Sequence, residues 1–253
     1  MKEEKNVLFQ YVLQLADNAM ILGQRLGEIC GHGPILEQDI ALTNISLDLI
    51  GEARILYQYA AEIEGNGKTE DEYPYKRDVL DWRNLLLVEQ HNGHFGHTIV
   101  RQFMFDCYHY YHLKEMTLSS NERLAEIARK TIKEATYHLK YSSEWMIRLG
   151  DGTPESHQKM EEALSDLMPY FEEAFIKSNI EKEDALVGIC VDVEKIKPSA
   201  FAKFKSVCEE ATLTIPEVEY PQEGGKNGYH TEHLGFILAE LQFLQRAYPN
   251  SNW

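Results

Sequence analysis

Leu8, Val12, Leu15, Ala19, Leu22, Leu26 and Ile29 recur at alternating spacings of four and three. Only an α-helix brings such positions onto one side, because at 3.6 residues per turn they drift little along its length. A strand would need a period of two. The chain therefore opens with a long amphipathic helix whose stripe has to be buried against other helices. The stripe stops at Cys30-Gly31-His32-Gly33-Pro34, where glycine and proline break the pattern.

The helical pattern continues downstream. A second helix, over about Glu37–Glu62, is apolar on most of its circumference (Ile40, Leu42, Ile45, Leu47, Leu49, Ile50, Ile55, Leu56). It is expected to be covered on several sides, with another subunit as one source of cover. The polar stretch Gly65–Glu72 is long enough to cross the end of a bundle. A third helix, over about 79–112, would carry Leu85, Ile99, Val100, Phe103 and Cys107 on one side. A fourth, over about 121–149, is capped at Ser119-Ser120-Asn121 and turns Leu124, Ile127, Ala128, Thr131, Ala135, Leu139 and Met146 inward. Gly150-Asp151-Gly152 ends it, and a fifth follows over about 154–179. Beyond Asn179 the signal weakens to a loop with short helices. The turn Gly224–Gly228 then leads to a last helix over about 231–247, with Thr231 as its cap and Leu234, Leu238 and Leu241 on its apolar side.

Two helical hairpins joined by a crossover predict an all-α chain, a ferritin-like four-helix bundle with additional C-terminal helices. At 253 residues it is expected to be a single domain. The core bundle would span about 7–149, with added helices and the C-terminal segment over about 150–253.

With 25 basic against 41 acidic residues the formal net charge is -16. That excludes general nucleic-acid binding, which needs a basic footprint, but suits docking to a basic protein surface. Cys30, Cys107, Cys190 and Cys208 are far apart and form no CxxC pair, so reduced thiols are expected. MKEEKNVLFQ opens with charges of both signs and not with a signal sequence, and no run approaches the ~18 apolar residues of a membrane span. The expected location is the cytoplasm.

Ferritin-like bundles often hold two metal ions with a Glu from each of two helices and Glu-x-x-His from each of the others. Here the set is incomplete. Asp17 and Glu28 fall opposite the stripe of the first helix. Asn44, Asp48 and Glu52 make a polar row on the second, but the position three after Asp48 is Gly51. Glu89 is followed at i+3 by Asn92, and Glu134 by Tyr137, with His138 at i+4. Asp48, Glu89, Glu134 and His138 therefore look like a vestigial polar cluster, with Glu89, Glu134 and His138 meeting near mid-bundle. The incomplete set favours pairing with one another or with nearby cations over a di-iron centre or a single adventitious metal. His91, His94 and His97, at i, i+3 and i+6, suit an exposed helix face better than a peripheral zinc or nickel site, since too few ligands accompany them.

Gly224-Gly225-Lys226-Asn227-Gly228, ahead of a helix, reads as a structural turn in preference to an anion site, and lacks the spacing of a P-loop. His230, Glu232 and His233 read as capping and contact residues. No Gly-x-Ser-x-Gly elbow is present and no cysteine has an adjacent His. Tyr108, Tyr110 and Tyr111 stud all sides of one helical turn, a pattern that suits a subunit interface.

Four segments, LADNAMILGQRLGEICGHGPILEQDIALTNISLDLIGEAR (15–54), NLLLVEQHNGHF (84–95), KEATYHLKYSSEW (133–145) and GGKNGYHTEHLGFILAELQFLQRAYP (224–249), occur in the same order as in the C subunits of phenylacetyl-CoA epoxidases, and the chain resembles that family from near its first residue to Trp253. The resemblance implies a multicomponent monooxygenase that forms a ring 1,2-epoxide in aerobic phenylacetate degradation. It implies that the A subunit, similar in fold, carries the di-iron centre and binds the CoA thioester, while the C subunit pairs with it as a structural partner without metal or cofactor of its own. A further small subunit and a reductase complete the system. Lys226 is the one residue singled out to reach the partner's CoA. Two other readings stay open: a self-sufficient di-metal oxygenase built on Asp48, Glu89, Glu134 and His138, and a ferritin-like scaffold homo-oligomer.

Overall fold

The computed structural model describes residues 2–249 and 251; Met1, Asn250, Asn252 and Trp253, at the ends of the resemblance, lie outside the described residues. The described residues are helical with no strand, so the fold class is all-α, of ferritin-like type. The chain divides into two compact units. One comprises everything before Asn92, Ser178–Val187 and everything after Glu223; the other comprises Asn92–Lys177 and Gly188–Glu223.

In the first unit α1 (Lys2–Gly27) and α2 (Leu36–Glu64) form a hairpin. Its turn is closed by Asp39, whose Oδ2 accepts from the Gly31 and Gly33 amides at 2.8 and 3.0 Å. The two helices approach closely at Gly23, where an added Cβ would lie 2.9 Å from Ile50 Cγ1. The Ser46 hydroxyl donates to the Gly23 carbonyl there at 2.7 Å. One stripe was expected to be covered on α1, yet nearly every residue from Tyr11 to Leu26 is buried. Asp17 is therefore corrected from the outer face to the interior. It is satisfied there by Arg77, the Tyr57 hydroxyl (2.7 Å) and the Arg83 amide (3.0 Å). Burial first, and then the Asp17 charge, push the Tyr57 phenol well above its ordinary pKa. On α2, Leu42, Ile45, Leu49 and Leu56 are buried, whereas Leu36, Ile40 and Leu47 face solvent.

The continuous helix expected over 79–112 is corrected. A short helix α3 (Glu72–Lys76), a 3-10 turn (Val79–Asp81) and a one-turn helix α4 (Leu86–Glu89) come first, and α5 starts only at Phe95 (Phe95–Met116). The break is at Gly93, whose φ of 54° is left-handed, and at His94, whose Nδ1 accepts from the His97 amide as the N-cap of α5. Leu85 and Glu89 thus do not share a helix with Ile99 and Phe103.

In the second unit α5 pairs with α6 (Glu122–Gly150), which starts at the expected Asn121 cap and buries all seven positions read as inward. A capping box at Thr153 and Ser156 starts α7 (Pro154–Phe171), shorter than expected and continued by a 3-10 turn over Glu172–Phe175. The region read as a weak loop contains α8 (Val193–Glu210), whose buried Val193, Ile196, Ala200, Phe204 and Val207 keep helical spacing. Phe103, Phe171, Phe201 and Phe204 stack at 4.9 to 5.8 Å between ring centres and bind α5, α7 and α8 together. The last helix, α9 (Glu232–Ala247), returns to the first unit, where it packs on α3 and buries Leu234, Ile237 and Leu238, with Leu241 half-buried.

Candidate functional site

Glu89 ends α4 fully buried, and both of its carboxylate oxygens are saturated by donors of its own unit. Oε1 accepts from Asn84 Nδ2 at 2.9 Å and lies 2.6 Å from His230 Nδ1. Oε2 accepts from the Thr231 amide at 2.9 Å and the Thr231 hydroxyl at 2.6 Å. His230 Nε2 meets the Trp82 carbonyl at 2.9 Å, so both ring nitrogens face oxygen acceptors. Arg25 donates twice to the Glu89 carbonyl, at 2.7 and 3.0 Å. Chain segments around residues 25, 82–89 and 230–231 are thus tied through one residue. Thr231 is corrected from side-chain cap to Glu89 partner; it stands at the N-cap position of α9 without capping it.

Of the residues expected to meet near mid-bundle, Glu89 belongs to the first unit and Glu134 and His138 to the second. His138 is buried on α6 and its charged neighbour is Asp106 of α5; Glu134 is half-buried, on the same helix. Asp106 is a site residue that helix periodicity did not single out. Its Oδ1 accepts from Gln102 Nε2 at 2.8 Å and its Oδ2 from the Ser142 hydroxyl at 2.7 Å. Burial raises its pKa from 3.8 to about 6, partly offset by His138, the two hydrogen bonds and His109. The signal was present as Asp106-x-x-His109, a shorter-armed version of the Glu-x-x-His spacing. On α2, Asn44 is exposed, Asp48 half-buried and Glu52 buried. Among the described residues no group of three or more His, Cys, Asp or Glu side chains is placed to hold a metal ion. Glu89 meets two protein partners at each of its oxygens, which leaves it no lone pair for a metal ion.

The three histidines do not share a helix face, because α5 begins after His94. His91 is exposed and sits edge-on to His233 at 5.8 Å in the first unit. In the second, His94 caps α5, and His97 Nε2 meets Asp166 Oδ2 at 2.8 Å.

Lys226 is corrected from a residue reaching outward to a buried one. Its Nζ donates to Glu181 Oε2 at 2.8 Å, with 2% of the lysine side chain exposed. The Ser178 amide and Gln14 Nε2 also donate to this carboxylate, at 2.7 and 3.0 Å. The turn Gly224–Gly228 is therefore a plug, held also by Gly225, whose missing Cβ would lie 2.3 Å from the Asn84 carbonyl. It is not an anion cradle with a free cation. Of the tyrosines, Tyr108 is corrected to a core residue, 2% exposed among Phe105, His112 and Phe175. Tyr110 and Tyr111 are half-buried.

No helix among the described residues is long and apolar enough to cross a membrane. A family model described as phenylacetic acid catabolic protein matches residues 1–253. The C subunit of the 1,2-phenylacetyl-CoA epoxidase of Escherichia coli (strain K12) is 46% identical over 248 residues, which cover 98% of this chain and 100% of that relative.

Proposed function

The chain belongs to the phenylacetic acid catabolic protein family, and from that premise we propose that it is the non-catalytic, structural C subunit of a phenylacetyl-CoA 1,2-epoxidase. In this reading it pairs with an A-type subunit that holds the di-iron centre and the CoA thioester. A further small subunit and a reductase complete a cytoplasmic hetero-oligomer. The observation that carries the reading is the end-to-end match to a relative that is itself named as the C subunit of such an enzyme, with nothing of that relative left uncovered.

The polar interior favours a supporting role over a catalytic one. A carboxylate that binds iron must keep lone pairs for the metal. Glu89 gives its own to Asn84, His230 and Thr231. The same contacts lock helix ends and loops in place, which is what a rigid partner needs to hold a neighbouring subunit's helices, and hence its metal ligands, in register.

Elemental analysis of the chain purified alone and then with its A-type partner tests the reading. Near-zero iron alone, with iron and ring epoxidation arriving only in the complex, is the expected outcome. Stoichiometric iron with a redox-active spectrum in the isolated chain would instead favour a self-sufficient oxygenase. A metal-free closed homo-oligomer that binds no A-type subunit would favour a scaffold.

A further inference from the structure

The exposed face of α9 carries large apolar side chains, as its buried face does. Phe236 and Phe243, at i and i+7, are 70% and 64% exposed, with the small exposed Ala239 and Ala247 on the same side. Beside them a groove of about 470 Å³ is lined by Val79, Ala239, Phe243 and Ala247 together with the polar Asp78, Gln242 and the already paired Arg246. Leu80, Leu244 and Tyr248 add further exposed apolar surface at its margins. The exposed parts of these large side chains amount to roughly 600 Å². That is the upper end of what a monomer leaves uncovered, and close to the ~800 Å² that each partner gives to a standard interface.

The charges beside this face are unbalanced. Glu232 and Glu240 are exposed and make no ion pair or hydrogen bond with any described residue. The basic residue nearby, Arg246, is pinned to Asp78 and to the Arg77 carbonyl at 2.8 and 2.9 Å. A complementary surface is therefore a helix with an apolar stripe flanked by Lys or Arg. A second copy of this chain would bring the same two carboxylates and another net charge of -16 against the first. A second exposed apolar row, Leu36, Ile40 and Leu47 on α2, lacks the aromatic anchors.

The geometry points to the α9 face, with Phe236 and Phe243 as anchors and Glu232 and Glu240 as charged rim, as the surface on which a basic-flanked helix of the A-type subunit docks. This rests on the reading of the chain as a C-type subunit. It moves the interface away from the tyrosine cluster of α5, in which Tyr108 is buried.

The test is affinity for the purified A-type subunit, measured by calorimetry and by light scattering of the complex, for Phe236→Glu, Phe243→Glu, Glu240→Lys and a control, Leu47→Glu. All four positions are exposed, and circular dichroism checks that each variant is folded. The two phenylalanine variants should lose about 30-fold or more in affinity. Glu240→Lys should lose about 10-fold and weaken the salt dependence of binding. Leu47→Glu should bind as the parent does. Unchanged affinity in both phenylalanine variants, or loss confined to Leu47→Glu, would remove the interface from α9 while leaving the subunit reading intact. Loss of self-association in Phe243→Glu with unaltered A-subunit binding would overturn the inference and assign the face to a second copy. Failure of the parent chain itself to bind the A-type subunit would bring down the subunit reading, and this inference with it.

Discussion

Replacing Asp106 by Asn removes one charge from the interior of the second unit while keeping the shape of the side chain. Burial lifts the Asp106 pKa from 3.8 to about 6, and His138, Ser142, Gln102 and His109 offset only part of that. At 1.36 kcal/mol per pKa unit, the ionised carboxylate costs the folded state about 3 kcal/mol. The folded-state pKa is raised, so this group's favourable contribution is fully present below about pH 4 and is lost as the pH rises through about 6. An asparagine cannot ionise, and its amide can still serve Gln102 and Ser142. Asp106→Asn should therefore be more stable than the parent by about 3 kcal/mol at pH 8. That advantage should fall to roughly half on going to pH 5, where the parent's carboxyl is mostly protonated. Urea unfolding of both proteins at pH 5, 6, 7 and 8 measures this, because the other carboxylates cancel in the difference. A difference independent of pH, or a variant less stable than the parent at pH 8, would refute the reasoning.

Glu89→Ala leaves Asn84, His230 and Thr231 without their acceptor, and should lower the unfolding free energy by about 3–5 kcal/mol in a urea titration, with Glu89→Gln losing less. Lys226→Met strands the Glu181 carboxylate and should cost a similar ~3–5 kcal/mol; a loss under ~1 kcal/mol would mean that the pair contributes little. Gly225→Ala places a methyl against the Asn84 carbonyl and should cost about 1–3 kcal/mol, read as a lower melting temperature in calorimetry.

Helix periodicity is a local property, and so the sequence alone determined the all-α class, the α1–α2 hairpin and the inward face of α6. The Asn121 cap was legible for the same reason: its side chain accepts from the Leu124 amide, three residues away. The interruption between α4 and α5 was not legible, because it depends on a left-handed Gly93 and on Leu85 donating its amide to Asn18, 67 positions earlier in the chain. The helix α8 kept its apolar spacing, but Pro198 and the lysines around it obscured the pattern.

The polar interior was the part that only tertiary structure decided. Glu89 was recognised as an inward carboxylate, yet its partners His230 and Thr231 lie 141 and 142 positions away. Lys226 was singled out to reach the partner's CoA because nothing near it in sequence announces Glu181, 45 residues earlier. Asp17 looked solvent-facing because a helix wheel shows which side is apolar, not how many neighbours cover it. A hydrophobic stripe states its requirement in its own spacing. A buried charge is tolerated only if a partner arrives from elsewhere in the chain, and folding alone decides which one does.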